Sequence, residues 1–165
     1  MQYETDETVH AAHWYLAYTE PRRERFAKEH LDRQCYETYL PLCGRVEAMF
    51  PRYLFFRPTH AAQSIAPARS TRGIQAVVRF GIRYAQVSPA VIAAIREQES
   101  LGKQQSPAYG RPRPGQRVRV QSSAPALAGL EGLVHSSAAQ RVVVLMEILG
   151  RQTPVRLAAA SLEVI

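Results

Sequence analysis

The stretch that most constrains this chain is Phe50-Pro51-Arg52-Tyr53-Leu54-Phe55-Phe56-Arg57. Four large apolar or aromatic residues run consecutively between two arginines. Pro51 cannot donate to a β-ladder and fits the first position of a strand. Aromatic side chains suit a pleated surface, so Tyr53–Phe56 is predicted as a short strand. Period two sends Tyr53 and Phe55 to one face and Leu54 and Phe56 to the other. One face fills a core. The other is either buried by the chain itself, as in a strand covered on both sides, or offered to a partner.

Upstream, His13–Tyr18 reads as a first strand with Trp14, Leu16 and Tyr18 on one face. Thr19 is predicted to cap a helix with Pro21 in its first turn. Over Arg22–Cys35, Ala27, Leu31 and Cys35 make a narrow apolar stripe. Arg23, His30 and Gln34 form a second stripe beside it. Such a row either reads bases and phosphates or is a solvated face held by i,i+4 pairs. Tyr36–Leu42 is expected as a second strand and Arg45–Met49 as a short loop. Thr59–Ser70 has room for one short helix at most, Thr71-Arg72-Gly73 is a turn, and Ala76–Phe80 is a further strand. Ser88-Pro89 starts a helix running to about Glu99, with Val91, Ile92 and Ile95 inward. This order predicts an α+β fold: helices on one face of an antiparallel sheet.

Residues 100–114 are rich in Gly, Pro and Gln and are expected as a linker. The remaining chain, 115–165, alternates polar and apolar at Gln116–Val120 and has glycines at 129, 132 and 150. That pattern predicts a small barrel of short strands. Ala124–Leu133 and Ala138–Leu149 also contain many good helix formers, so local propensity leaves strand and helix both open there.

Charge bears on partners. The net charge is +7, and of 21 basic residues only Lys28 and Lys103 are lysine. Arginine suits phosphate and guanine edges, although a GC-rich genome favours it too. The segment 1–12, with Glu4, Asp6 and Glu7, is expected as a loose tail; it resembles no basic apolar leader, which points to the cytoplasm. No apolar run approaches the ~20 residues of a membrane helix. Cys35 and Cys43 match no zinc spacing, and the five histidines form no metal-binding pair, so neither a metal nor another cofactor is expected. No phosphate loop, paired carboxylates or nucleophile–base set appears, which argues against an enzyme.

Five segments in order carry a resemblance: Trp14-Tyr15-Leu16; Glu29-His30-Leu31-Asp32-Arg33-Gln34; Phe50–Phe55; Thr71-Arg72-Gly73-Ile74; and Val78-Arg79-Phe80-Gly81. Together they resemble the NusG family of transcription elongation factors, most nearly its specialised RfaH branch. The tail from Gly115-Gln116-Arg117-Val118 to Gly129-Leu130-Glu131-Gly132-Leu133-Val134 is similar to a KOW motif. The resemblance implies an N-terminal domain over 13–99 that grips the clamp helices of the RNA polymerase β′ subunit and bridges to the β subunit. It implies an apolar docking patch of Leu16, Tyr18, Tyr53, Phe55 and Phe80. It also implies reading of an exposed non-template DNA strand by His30, Gln34, Thr71 and Arg72, with Arg23 and Arg33 on phosphates. The tail would be a KOW barrel that recruits a small-subunit ribosomal protein, or a helical hairpin closed over the docking patch, with Glu47 and Arg141 as an interdomain salt bridge. The expected species is a monomer that suppresses pausing and termination. Two departures stand out: Glu20-Pro21 replaces a basic pair before the helix, and Ser64-Ile65-Ala66-Pro67 replaces the polar segment that meets the β subunit. A general NusG factor without DNA preference, or a KOW-type RNA-binding protein, is the alternative.

Overall fold

The computed structural model describes residues 13–104, 112–138, 141–148 and 151–165; the side chains of 101–104, 138, 141, 145–148 and 151 lie outside that description. The expected N-terminal tail and residues 105–111 of the expected linker therefore fall outside it, while residues 100–104 of that linker belong to a helix, Pro89–Gln104, that runs past the expected end near Glu99. The chain divides into two units: one takes in the chain to Leu40 and Arg52–Pro89, the other Pro41–Pro51 and Ala90–Ile165.

In the first unit, β1 (Trp14–Thr19) is the spine of a five-stranded antiparallel sheet. On one side it pairs with Tyr53–Arg57, which in turn pairs with Glu37–Tyr39. On the other side its C-terminal half pairs with Ile74–Val77 and its N-terminal end with Gln86–Val87. Tyr15, Ala17, Leu54 and Phe56 share a face and pack with Ala27 and Leu31 of the helix Glu24–Asp32, here α1, and with Ala68 of a 3-10 turn at Ala66–Ser70. This is the core the period-two pattern anticipates for Leu54 and Phe56. Tyr53 and Phe55 belong to the opposite face.

The helix start differs from the expectation. Thr19 is not a helix cap: it ends β1, fully buried, and its N–H donates to Arg52 O at 2.8 Å. Sheet pairing outweighs the local capping preference, and the chain turns through Arg22 at φ 61 before the helix begins after Arg23. The loop expected at Arg45–Met49 is a hairpin of β3 (Leu42–Cys43) and β4 (Glu47–Ala48), once Glu37–Tyr39 is counted as β2. With Tyr53–Arg57 as β5 and Ile74–Val77 as β6, the single strand expected to reach Phe80 is also two pieces. β7 (Arg79–Phe80) leaves the main sheet and forms its own hairpin with β8 (Arg83–Tyr84), turning at Gly81 with φ 61. Gln86–Val87 is then β9 and the helix Pro89–Gln104 is α2.

In the second unit the C-terminal chain is a five-stranded antiparallel sheet, not a helical hairpin. Its strands are β10 (Arg117–Val120), β11 (Glu131–Ala138), β12 (Arg141–Ile148), β13 (Arg151–Leu157) and β14 (Leu162–Val164), in the order β13-β12-β11-β10-β14. Val118, Val134, Val142, Val144 and Val155 are all but unexposed. β-branched valines bury well on a pleated face, which explains why strand wins over the helix formers around them. The β3–β4 hairpin is held to this sheet by Arg156, whose N–H donates to Met49 O at 2.8 Å and whose Nη1 donates to Ala48 O at 3.1 Å. Gln98 on α2 donates to Gln121 O at 3.0 Å. No helix among the described residues is long and apolar enough to cross a membrane.

Candidate nucleic-acid interface and docking face

Two surfaces of the first unit concentrate the residues singled out by sequence. The first is built where α1 meets the turn 71–73. Gln34 Nε2 donates to Thr71 Oγ1 at 2.8 Å and to His30 O at 3.1 Å. Thr71 Oγ1 in turn donates to Pro67 O at 3.3 Å. Gly73, at φ +85, lies so close to the helix that a Cβ there would stand 2.9 Å from Phe26 Cδ1 and 3.2 Å from Ala27 Cβ. Its carbonyl accepts the Glu20 N–H at 2.9 Å. The turn is thus bonded to Gln34, just past the C-terminal end of α1, and pressed against the helix at Phe26 and Ala27.

On this platform Arg23, Arg33, Gln34 and Arg72 are exposed and His30 is half-buried, while Thr71 is 5% exposed. Thr71 therefore offers little surface of its own; what it does is orient the Gln34 amide. With Nε2 engaged twice, Gln34 presents its Oε1 as the acceptor. Sequence reasoning missed Phe26. Its ring meets His30 at 4.5 Å between centroids, edge to face, and carries the Arg23 guanidinium at 4.8 Å. The signal was available: Phe26 is the one aromatic in a charged helix and stands i−4 from His30, where the rings must meet. Gln63 was also missed; its Nε2 donates to Gln34 O at 3.0 Å.

The second surface is the sheet face opposite the core. Leu16 lies opposite Phe55 and Tyr18 opposite Tyr53 in the β1–β5 register. Tyr18 and Tyr53 pack at 5.2 Å, and Tyr39 of β2 stacks on Phe55 at 6.2 Å. An arginine closes each end of this aromatic row. Arg52 lies over the Tyr18 ring at 4.1 Å, with Nε donating to Thr19 O at 3.0 Å and Nη2 to Gln75 Oε1 at 2.6 Å. Its own N–H donates to Glu24 Oε1 at 2.9 Å. Together these bonds hold a non-glycine residue at φ 70, a conformation that costs about 1 kcal/mol or more. Arg57 lies over Trp14 at 4.6 Å and pairs with Glu37 at 2.6 Å.

The five expected docking residues do not form one open ledge. Leu16 and Phe55 are each 5% exposed, Tyr18 and Tyr53 are half-buried, and Phe80 stands apart on the β7–β8 hairpin at 53% exposure beside Ile82 at 93%. Glu47 sits in β4 and Arg141 opens β12, but the Arg141 side chain lies outside the described residues, so the expected pair has no geometry here. Among the described residues no cluster of His, Cys, Asp or Glu could hold a metal ion.

Comparison with known proteins places this architecture. A solved structure titled "Domain interaction in Thermotoga maritima NusG" superposes with a TM-score of 0.61 at 20% identity, covering 93% of this chain and 97% of that one, a likeness of fold. Two conformations of an MjSpt4:Spt5 complex align at 12% and 13% identity over 92% of this chain and 97% and 96% of those chains, with TM-scores of 0.30 and 0.31. The family profile described as transcription termination factor NusG matches residues 12–96, more than half of the 165. The chain belongs to the NusG family of transcription factors.

Proposed function

We propose that this protein is an elongation factor recruited to particular operons, where it docks on the RNA polymerase clamp helices, reads an exposed non-template DNA strand, and suppresses pausing and termination. The observation that carries the reading is the 2.8 Å bond between Gln34 and Thr71, which makes one platform of two segments thirty-seven residues apart. His30, Gln34 and Arg72 supply edge-reading groups there, and Arg23 and Arg33 track phosphates. A loose single strand is recognised by this combination of stacking, edge hydrogen bonds and backbone cations.

Docking is made by the reachable aromatic groups Tyr18, Tyr53 and Phe80, with Leu16 and Phe55 packed behind them. Arg52 and Arg57, locked over Tyr18 and Trp14, hold the face in shape and present positive charge at its ends. The C-terminal sheet acts as a KOW-type module toward a small-subunit ribosomal protein. The Ser64–Pro67 segment is anchored through Ser64 O, which accepts the Tyr36 hydroxyl at 2.5 Å, and through Ile65, which packs against the core, so a β-subunit contact there would be made by the exposed Ser64, Ala66 and Pro67.

Readthrough of a terminator on templates carrying a library of non-template sequences tests the proposal. The full chain should raise readthrough on a subset of sequences, and His30→Ala should abolish that selectivity while core polymerase is still retained. Equal stimulation of every template by both proteins would instead identify a general NusG factor.

A further inference from the structure

The feature the reading above leaves unused is Phe26. A lone phenyl ring on a charged, half-exposed helix face is costly unless it packs or binds. Its neighbours are the Arg23 guanidinium, the His30 ring and the backbone of Gly73, and it is absent from the core cluster of the first unit. Gly73 contributes by omission: a side chain there would collide with the ring edge at 2.9 Å. The group now lying on the ring is the Arg23 guanidinium, which is flat, cationic and exposed.

We propose that Phe26 is a stacking platform for one unpaired nucleobase, and that Arg23 is the placeholder that a base displaces. Guanidinium and nucleobase are planar groups that bind the same aromatic face. When a base slides onto the ring, Arg23 is released at the platform's edge, where a strand's phosphate would lie, so the displaced cation is reused as a backbone contact. His30, edge-on to Phe26, then stands beside the stacked base with a ring nitrogen available to its hydrogen-bonding edge. The base is thus held by face and read by edge within one turn of α1. Stacking tolerates any base, so Phe26 supplies affinity while His30 and Gln34 supply choice. This rests on the DNA-reading role proposed above and adds the mode of capture.

The test uses the full chain and a fluorescein-labelled, degenerate-sequence single-stranded 12-mer DNA, with the duplex form as control, followed by anisotropy at low salt. Wild type should prefer the single strand. Phe26→Leu, which keeps apolar bulk but not the π-face, should bind about tenfold more weakly. Phe26→Tyr should bind within about twofold of wild type. In Phe26→Trp the new indole should be quenched by the 12-mer, against the constant emission of Trp14, which is 2% exposed. This readout does not depend on how well the leucine variant folds. Equal binding by the leucine variant, or no quenching at position 26, overturns the platform and leaves the DNA-reading proposal standing. Failure of wild type to bind the single strand at all removes both.

Discussion

At the scale of single residues, the molecule turns on a few side chains whose neighbours leave no slack. Gly73 combines a positive φ with contact to Phe26 and Ala27. Gly73→Ala should therefore destabilise the fold by about 2 kcal/mol, combining backbone strain with displacement of the ring. Chemical denaturation would measure this, and an unchanged midpoint would contradict the geometry. Tyr36 is a second case. Burial pushes its phenol above the ordinary value of 10.0, while its backbone bond near Ala68 works in the opposite direction. The unfolded chain ionises first, so stability is intact below about pH 10 and falls as pH rises beyond it. Tyr36→Phe should flatten that alkaline limb and cost about 1 kcal/mol at neutral pH through the unpaired Ser64 carbonyl. In the second unit Arg119 bonds Glu131 at 2.7 Å and holds its carboxyl below the usual range, but both groups are solvated, and surface pairs of this kind contribute little.

At the scale of elements, the informative contrast is between β5 and the β7–β8 hairpin. β5 is indispensable to the sheet: Leu54 and Phe56 are fully buried, and Phe55 nearly so. Truncating Phe55 would confound docking with folding, because removing a buried phenyl costs about 3–5 kcal/mol. The hairpin is the cleaner probe, since Phe80 and Ile82 are exposed and make no part of the core cluster. Phe80→Asp should leave the melting temperature within about 1 °C, as expected of a surface change. It should also reduce retention on core RNA polymerase at least tenfold in a pull-down titration. Full retention would remove the hairpin from the docking surface. Tyr53→Ala is the matching probe on β5, because Tyr53 keeps partial exposure.

At the scale of the whole molecule, the C-terminal chain is held as strand by its ladders. β12 makes seven cross-strand pairs with β13, from Val142–Leu157 to Ile148–Arg151. Carbon chemical shifts of the full chain should therefore be strand-like throughout 141–148. Helical shifts there would mean that the free protein holds a different state of the tail.

Much of the fold was legible in the amino-acid order because it rests on periodicity. Leu54 and Phe56 had to face one way and Tyr53 and Phe55 the other, and Ala27 and Leu31 had to share a helix face. The helix-starting Ser88-Pro89 marked α2 for the same local reason. Those features require only backbone geometry. Tertiary pairing decided the rest. Thr19 remained in a strand because Ile74 and Arg52 engage it, although its chemistry suits a cap. Val142–Val144 became strand because β11 and β13 flank them, where propensity alone was divided. The proposed reading platform was the least legible part: Gln34 and Thr71 are ordinary residues until a 2.8 Å bond joins them, and only tertiary folding set Gly73 against the Phe26 ring. Periodicity is a property of adjacent residues and survives in a one-dimensional text. A site assembled from segments distant in the chain exists only when the core between them has closed.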